Sequence, residues 1–335
     1  MNTEVLPFSP ESAEKAAEIM AAGGVVGIPT ETVYGLAADA RNESAVHSIF
    51  RAKGRPQDNP LIVHISAIEQ LRPLVREIPE LALRIAERFW PGPLTMIFPK
   101  SDVIPRATSG GLDTVAVRMP RSPAARAIID ACGFPLAAPS ANLSGSPSPT
   151  TAQHVLRDMD GRVPLIIDGG ECDCGVESTV LCFPAADRVR ILRPGGVTAE
   201  MLSELCAVDI DPAVTSEPPK GAKVLSPGMK YKHYSPKAEV FIVNAHGKRF
   251  RDWCLAHEKG RTLALSADPV EHGMFRCFGK DGQEQAHRLF ALLREADDQG
   301  AQTVYVEIPS KDGIGLAVYN RLLRAAAFRI VEADE

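Results

Sequence analysis

Short apolar runs alternate with amphipathic segments along the first part of the chain. Apolar residues recur at helical spacing over residues 9–23, 44–54 and 79–90, and Gly23 marks a helix end. Apolar runs between these helices predict buried strands at 25–29, 61–65, 94–99, 114–120, 135–140, 165–170 and 178–183. This mixture of strands and helices predicts an α/β domain.

The alternation stops after one more predicted helix at 198–206. Residues 207–237 lack clear periodicity, and their prolines predict an extended linker between domains. This linker also holds Tyr231, His233 and Tyr234, side chains that a simple tether does not need.

After the linker the α/β pattern restarts. The periodicity predicts strands at 238–244, 261–267 and 303–309 and helices at 284–300 and 317–328. This region is expected to form a smaller, partly parallel, Rossmann-like α/β unit. The predicted organisation is a first domain at 1–206, a linker at 207–237 and a second domain at 238–335.

Composition agrees with two soluble globular domains. The chain has 335 residues, of which 45% are hydrophobic and 24% charged, and its formal net charge is −5. Disorder, collagen and coiled coils are therefore excluded, and bulk attraction to nucleic acid or to an anionic membrane is not expected. The linker region is locally basic, since it carries Lys220, Lys223, Lys230, Lys232 and Lys237. That stretch favours an anionic ligand.

The cysteines and the N-terminus indicate a cytoplasmic protein with reduced thiols. None of the seven cysteines forms a C-x-x-C pair. Cys172 and Cys174 are either soft-metal ligands or small residues in a turn. The first twenty residues lack an apolar signal core, and no apolar run approaches the ~20 residues of a membrane span.

Common catalytic motifs are missing: the chain has no P-loop, no dinucleotide-binding glycine motif after a strand, no H-E-x-x-H and no G-x-S-x-G. Candidate chemistry instead begins with PTETVYGL at 29–36, where Thr30, Glu31 and Thr32 follow a predicted strand and Tyr34 and Gly35 turn the chain. Ligands of α/β sheets bind outside the carboxyl ends of strands. The alternative is that a threonine hydroxyl only caps a helix.

A second cluster, RAKGRPQDNPLIVH at 51–64, is typical of a phosphate-binding loop. Lys53 and Arg55 flank a glycine, and two prolines fix the loop that precedes a strand. Asn59 lies in this loop, and His64 lies in or at the end of the strand. The alternatives are an ordinary solvated loop and a core histidine.

Two further clusters consist of neutral polar residues beside predicted strands. Ser140, Asn142, Ser144, Ser146 and Ser148 lie in the loop APSANLSGSPSPTT at 138–151, which binds phosphate or is simply a surface loop. The other cluster consists of GVESTV at 175–180 and LRPG at 192–195. Together the four clusters supply cations, hydroxyls and amides, which suits the orientation and neutralisation of phosphates. The residues alone therefore predict an α/β enzyme that uses a nucleotide or a phosphate.

These motifs resemble those of the YrdC-like threonylcarbamoyl-AMP synthases. The resemblance lies in PTETVYGL, the K-G-R loop, S-A-N, ESTV and LRPG, and SPGMKYKHYSP in the linker matches the long two-domain form. It implies a twisted, open mixed-sheet domain with a concave pocket and a smaller Rossmann-like domain. The implied reaction converts L-threonine, bicarbonate and ATP with Mg²⁺ into threonylcarbamoyl-AMP and pyrophosphate. A tRNA threonylcarbamoyl transferase complex would then use the product next to the anticodon.

The resemblance also implies roles for individual residues. Those implied for L-threonine are Thr32, His64, Arg118, Ala138 and Ser178. Those implied for ATP are Arg55, Asn59, Thr114, Ser140, Ser148, Arg193 and Tyr231, with Tyr231 acting as a lid. Lys53, Arg55, Ser140 and Asn142 are the implied catalytic residues around the phosphates and magnesium.

Two other interpretations were weighed. The first is an RNA-binding or ribosome-associated factor without adenylate chemistry, against which the acidic net charge and the intact motifs argue, although weak tRNA binding stays open. The second is the carbamoyl-adenylate domain of hydrogenase-maturation proteins, whose acylphosphatase-like and zinc-binding regions are missing here. The synthase is the preferred interpretation.

Overall fold

The computed structural model describes residues 2–57, 59–217 and 234–333. The helices of this described part are α1 (Pro10–Ala21), α2 (Glu43–Lys53), α3 (Glu80–Phe89), α4 (Arg106–Ser109), α5 (Pro123–Cys132), α6 (Ala152–Met159), α7 (Ala199–Ser203), α8 (Gly247–Ala256), α9 (Gly282–Asp298) and α10 (Gly315–Ala325). The strands of the first domain are β1 (Glu4–Pro7), β2 (Val26–Ile28), β3 (Gly35–Asp39), β4 (Ile62–His64), β5 (Leu94–Pro99), β6 (Thr114–Arg118), β7 (Leu136–Ala137), β8 (Leu165–Asp168), β9 (Thr179–Ala185), β10 (Arg188–Arg193) and β11 (Ala207–Ile210). The strands of the second domain are β12 (Glu239–Asn244), β13 (Thr262–Ser266), β14 (Phe275–Cys277), β15 (Thr303–Glu307) and β16 (Ile330–Glu332).

The first sheet has eleven strands in the order β1-β8-β2-β3-β7-β4-β6-β5-β9-β10-β11. Parallel pairs such as β4 with β6 alternate with antiparallel pairs such as β5 with β6. The predicted mixed-sheet fold is therefore confirmed. β11 pairs with β10, so the first sheet extends into the region expected to be linker.

The second sheet has five strands in the order β14-β13-β15-β12-β16, and all its pairs are parallel. Helices connect most of its successive strands, as parallel pairing requires. The predicted Rossmann-like second domain is confirmed.

Local signals explain where most helices begin and end. Ser9 caps α1 through a capping box with Ser12, and Asn42 and Thr151 cap α2 and α6. Gly54 takes a left-handed conformation at the end of α2. These caps leave the amphipathic faces of the helices to pack on the sheet.

Short elements differ from the sequence prediction. β3 begins at Gly35, where a turn was predicted, because this segment pairs with β2 on one side and β7 on the other. β1 and α5 were not predicted, yet β1 pairs with β8, and the apolar face of α5 is buried. Tertiary pairing overrides weak local propensity at these places.

The two domains share one apolar core. Val33, Cys174 and Val176 of the first domain lie in the same cluster as Phe290 and the other core residues of the second domain. α10 is buried along its whole length. Among the described helices, none combines the length and the apolar character that crossing a bilayer requires.

Candidate active site

A cavity of about 560 Å³, including its open mouth, lies at the strand ends of the first sheet. Loops after β2 and β7 line it together with the ends of β4, β6 and β10. The predicted site residues that line it are Thr32, Arg55, His64, Arg118, Ala138, Ser140, Ser178 and Arg193. Residues from all four polar clusters of the sequence thus meet at one place.

A fixed guanidinium forms one wall of the cavity. Arg118, the last residue of β6, is buried and donates from Nη1 to Thr32 Oγ1 over 2.8 Å and from Nε to the Gly92 carbonyl over 3.2 Å. Its Nη2 lies 2.7 Å from Glu31 Oε1. Burial alone would raise the pKa of Glu31, but Arg118 and the Arg121 backbone N–H hold this pKa below its ordinary value. The pair is therefore ionised.

His64 lies beside Arg118, because β4 and β6 pair in parallel at these two residues. Its Nδ1 lies 3.2 Å from the Ile62 carbonyl oxygen. Burial, reinforced by Arg118, lowers the pKa of His64 to about 3. The imidazole is neutral at physiological pH and serves as a hydrogen-bonding group.

Ser178 and Arg193 form another part of the cavity wall. Arg193 donates from Nε to the Ser178 carbonyl over 3.1 Å and from Nη2 to Ser178 Oγ over 3.2 Å. Ser178 Oγ also lies 2.8 Å from Thr95 Oγ1. Gly195 is required here, since a Cβ at this position would lie 2.2 Å from the Thr179 nitrogen. The glycine of LRPG lets the ESTV and LRPG segments touch.

Glu177 lines the cavity next to Ser178 and pairs with two partners. Its Oε1 accepts a hydrogen bond from Ser148 Oγ, and its Oε2 accepts one from Arg321 Nε over 3.0 Å. Burial would raise the pKa of Glu177, but Arg321 and Arg193 hold it below its ordinary value. Ser148 is fully buried behind this carboxylate and does not line the cavity.

Lys53 and Asn142 lie behind the cavity wall, and neither lines the cavity itself. The Lys53 ammonium donates to the Ser140 carbonyl and, over 2.7 Å, to the Asn142 carbonyl. Ser140 Oγ and Asn142 Oδ1 are hydrogen-bonded. Burial, together with Arg55, holds the pKa of Lys53 well below its ordinary value. In this structure Lys53 fixes the S-A-N loop, and its predicted role around the phosphates stays a prediction.

Arg55 and Asn59 come from the loop between α2 and β4. Arg55 lines the cavity and donates to the Pro60 carbonyl over 3.4 Å. Within the described ranges, Asn59 Oδ1 is buried without a hydrogen-bond partner. Thr114 is half-buried and is the first residue of β6, whereas Arg118 is the last. Thr114 does not line the cavity.

The predicted lid residue Tyr231 lies outside the described residues. Tyr234, further along the linker, is described, is buried and lines the cavity. Its ring lies 5.4 Å from that of Phe290, and its backbone is left-handed, with φ 62°. Ser235 donates its backbone N–H to the Gly145 carbonyl over 2.9 Å. The end of the linker therefore packs against the first domain.

The sequence placed Glu31 and Glu177 in candidate clusters and Tyr234 in the linker, but gave none of the three an individual role. A signal for both carboxylates was present, because buried arginines in neighbouring motifs require nearby acids. Tyr234 stood out only as an aromatic residue in a linker. Distances across the sheet, which no spacing reveals, decide which acid meets which arginine.

The cysteine pair does not form a metal centre among the described residues, where no group of three or more potential metal-ligating side chains occurs. Cys172 and Cys174 are both free and buried, and burial raises the pKa of each thiol. Of the two alternatives left open by the sequence, small residues in a turn agree with this environment.

Comparison with known proteins gives matches along both domains. A family model described as "Telomere recombination" matches residues 18–195, and a model for the C-terminal domain of threonylcarbamoyl-AMP synthase matches residues 197–327. Curated threonylcarbamoyl-AMP synthases from Pyrococcus abyssi and Bacillus subtilis are 46% and 41% identical, over 95% and 98% of this chain and 94% and 97% of their own. A structure of Pyrococcus abyssi Sua5 complexed with L-threonine is 43% identical and superposes with a TM-score of 0.91, covering 99% of this chain and 98% of that one.

Proposed function

Since the chain belongs to the threonylcarbamoyl-AMP synthase family, we propose that it forms threonylcarbamoyl-AMP and pyrophosphate from L-threonine, bicarbonate and ATP. The observation that carries this proposal is the convergence of Thr32, His64, Arg118 and Ser178 with Arg55, Ser140 and Arg193 around one cavity. The relative with L-threonine in its structure supports threonine as one ligand.

L-threonine is proposed to bind to Arg118 through its carboxylate. A guanidinium has five N–H donors, so Arg118 keeps donors for a ligand after its contacts with Gly92, Thr32 and Glu31. A carboxylate matches the fork geometry of the remaining donors. Thr32, His64, Ala138 and Ser178 are proposed to surround the rest of the amino acid.

ATP is proposed to bind on the side of the cavity that holds Arg55, Ser140 and Arg193. The buried Asn59 Oδ1 and the Ser148 hydroxyl are proposed to join this site, with Thr114 and Tyr231 at its margins. Lys53 and Asn142 would hold the Ser140 loop at the phosphates, through the contacts described above. Arg55 and Arg193 would offset the negative charge that develops on pyrophosphate.

The proposed reaction has two steps. The threonine amine attacks bicarbonate and releases water, which gives a carbamate on the amino nitrogen. A carbamate oxygen then attacks the α-phosphorus of ATP, and the bond to the bridging oxygen breaks as pyrophosphate leaves. The cavity walls would limit hydrolysis of the carbamate, which is unstable in water. The two parts of the cavity wall would hold the reacting groups at the short distance that such a transfer needs.

Magnesium is proposed only as the ion that enters with ATP. The described residues do not fit a resident magnesium centre, because Glu31 and Glu177 are both paired with arginines and no cluster of ligating side chains occurs there. No step is assigned to a protein-bound metal. A cytoplasmic location and delivery of the product to a tRNA threonylcarbamoyl transferase complex complete the proposal.

A pyrophosphate-release assay tests this function. Wild-type protein with ATP and magnesium should release pyrophosphate only when both L-threonine and bicarbonate are present. Omission of either substrate is the control, and mass spectrometry with labelled bicarbonate should find the label in the adenylate product. Folded protein that gives no threonine-dependent release would refute the proposal.

A further inference from the structure

One side chain of the second domain reaches the wall of the cavity. Arg321 on α10 is fully buried, although α10 belongs to the second domain. Its Nε donates to Glu177 Oε2 over 3.0 Å, its Nη2 donates to the Glu177 carbonyl over 3.1 Å, and its Nη1 donates to the Pro194 carbonyl. A single guanidinium therefore holds two separate segments of the first domain.

Those segments carry the proposed ligand-binding residues. Ser178 follows Glu177 in the chain, and Arg193 precedes Pro194. Ser178 and Arg193 are also hydrogen-bonded to each other. A shift of either carbonyl held by Arg321 would thus move a cavity-lining residue.

The charges around Glu177 also indicate that Arg321 affects the cavity. Arg193 and Arg321 flank its carboxylate, and Tyr234 and Lys53 are the other titratable groups that interact with it. Burial, together with Arg321 and Arg118, lowers the pKa of Arg193, whereas Tyr234 and Glu177 act to raise it. Without Arg321, Glu177 would pair with Arg193 alone and withdraw a positive charge that the cavity presents to anionic ligands.

Other contacts besides those of Arg321 also join the two domains. Arg294 forms a two-pronged ion pair with Asp158 at 2.8 and 3.2 Å, and Arg157 pairs with Asp298 at the surface. The shared apolar core adds further contact area. Arg294 also donates to the Pro147 carbonyl over 2.6 Å, whereas the contacts of Arg321 with the first domain fall on the segments that carry Ser178 and Arg193.

We propose that Arg321 is a positioning residue of the synthase site, through which the second domain sets the affinity for threonine and ATP. This inference rests on the proposed function. Arg321 does not line the cavity; it acts through Glu177 and Pro194 on Ser178 and Arg193.

The test replaces Arg321 by methionine and measures KM for L-threonine and for ATP, kcat and Tm. A displaced binding group costs up to about a hundredfold in such reactions, so R321M should raise both KM values by about tenfold or more. R321K, which keeps the charge but not the fork, should fall between R321M and wild type. The matched control is V243A in β12, a buried position of the second domain whose apolar cluster contains no cavity-lining residue, which should lower Tm and leave both KM values unchanged.

A merely adhesive Arg321 gives a different result. R321M with lowered Tm and unchanged KM values would overturn the inference. R321M leaves Glu177 without its counter-charge and could fail to fold for that reason; E177Q/R321M then removes both charges. KM values of E177Q/R321M above those of E177Q would support the inference, and equal KM values would overturn it. Wild-type protein without threonine-dependent pyrophosphate release would refute the proposed function instead; the dissociation constants of wild type and R321M for L-threonine, measured by calorimetry, would then decide the role of Arg321.

Discussion

Both sheets bury a carboxylate near the carboxyl end of a strand, but they compensate its charge differently. In the first domain, Glu31 follows β2 and pairs with the guanidinium of Arg118. In the second domain, Glu307 ends β15 and accepts backbone N–H groups of Gly247 and Ala267 over 2.9 and 2.8 Å. One carboxylate has a charged side chain as its partner, and the other is held mainly by the backbone.

The difference supports the proposal that ligands bind at the strand edge of the first sheet. Ser266 Oγ also donates to Glu307, and His246 Nδ1 lies 3.5 Å away, so the donors at this edge are already used by the protein itself. Arg118, in contrast, keeps N–H groups that a ligand can accept from. Glu31 thus positions the Arg118 cation for the proposed binding, whereas Glu307 stabilises the fold of the second domain.

The largest expected effect comes from breaking the Glu31–Arg118 pair on the arginine side. R118M should weaken L-threonine binding by about a hundredfold or more, because it removes charge-assisted hydrogen bonds to a carboxylate. Calorimetric titration with L-threonine measures the change. The ATP dissociation constant should change far less.

Loss of folding would confound that result, since R118M leaves Glu31 buried without its counter-charge. E31Q/R118M is the control, because it removes both charges and should fold. Threonine binding of wild-type strength by this double variant would contradict the assignment of Arg118.

The next effect concerns the second domain. E307Q replaces charge-assisted acceptors by a neutral amide and should lower the free energy of unfolding by about 1–3 kcal/mol. Denaturant unfolding measures this change. KM and kcat should equal those of wild type, because Glu307 lies in the second sheet and contacts no cavity segment. If E307Q raised the KM for threonine and left the free energy of unfolding unchanged, the stabilising role given to Glu307 would be wrong.

The smallest effect is the pH dependence of stability. His64 has its pKa lowered to about 3 by burial and Arg118, whereas the unfolded chain takes up this proton near pH 6.5. Stability should therefore fall as the pH drops below about 6.5, by up to about 1.4 kcal/mol per pH unit. Chemical unfolding of wild type and H64Q between pH 7 and pH 5 tests this slope.

H64Q should show a flatter dependence than wild type over that range. His154, whose pKa burial lowers to about 4, contributes in the same direction, but less, because it is partly exposed. H154Q is therefore the matched control. Equal slopes for H64Q and wild type would show that folding does not lower the pKa of His64.

Much of the fold was predictable because strong local signals coincide with tertiary structure. The strand predicted at 94–99 is β5 with the same bounds, and the capped helix at the N-terminus is α1. β3 was not predictable, because its small residues carry little strand propensity and its pairing partners are distant in the chain. Local sequence signals therefore predict elements such as β5 and α1, whereas an element such as β3 forms only because it pairs with strands that are distant in the chain.

The site was predictable as a set of motifs but not as a geometry. Arg118 and Thr32 were named from a family resemblance, and the structure brings them within 2.8 Å. Lys53 was predicted around the phosphates, and its ammonium lies on the Ser140 and Asn142 carbonyls. Arg321 carried no sequence signal, since a basic residue in a helix usually faces solvent.

We expect threonine and ATP to bind at the strand ends of the first sheet and not at those of the second. Amide hydrogen exchange of the full chain, measured with and without L-threonine and a non-hydrolysable ATP analogue, tests this expectation. Added protection should appear at 30–34, 138–142 and 177–179, and the amides of Gly247 and Ala267 should exchange unchanged. Protection confined to the loops around Glu307 would contradict this expectation.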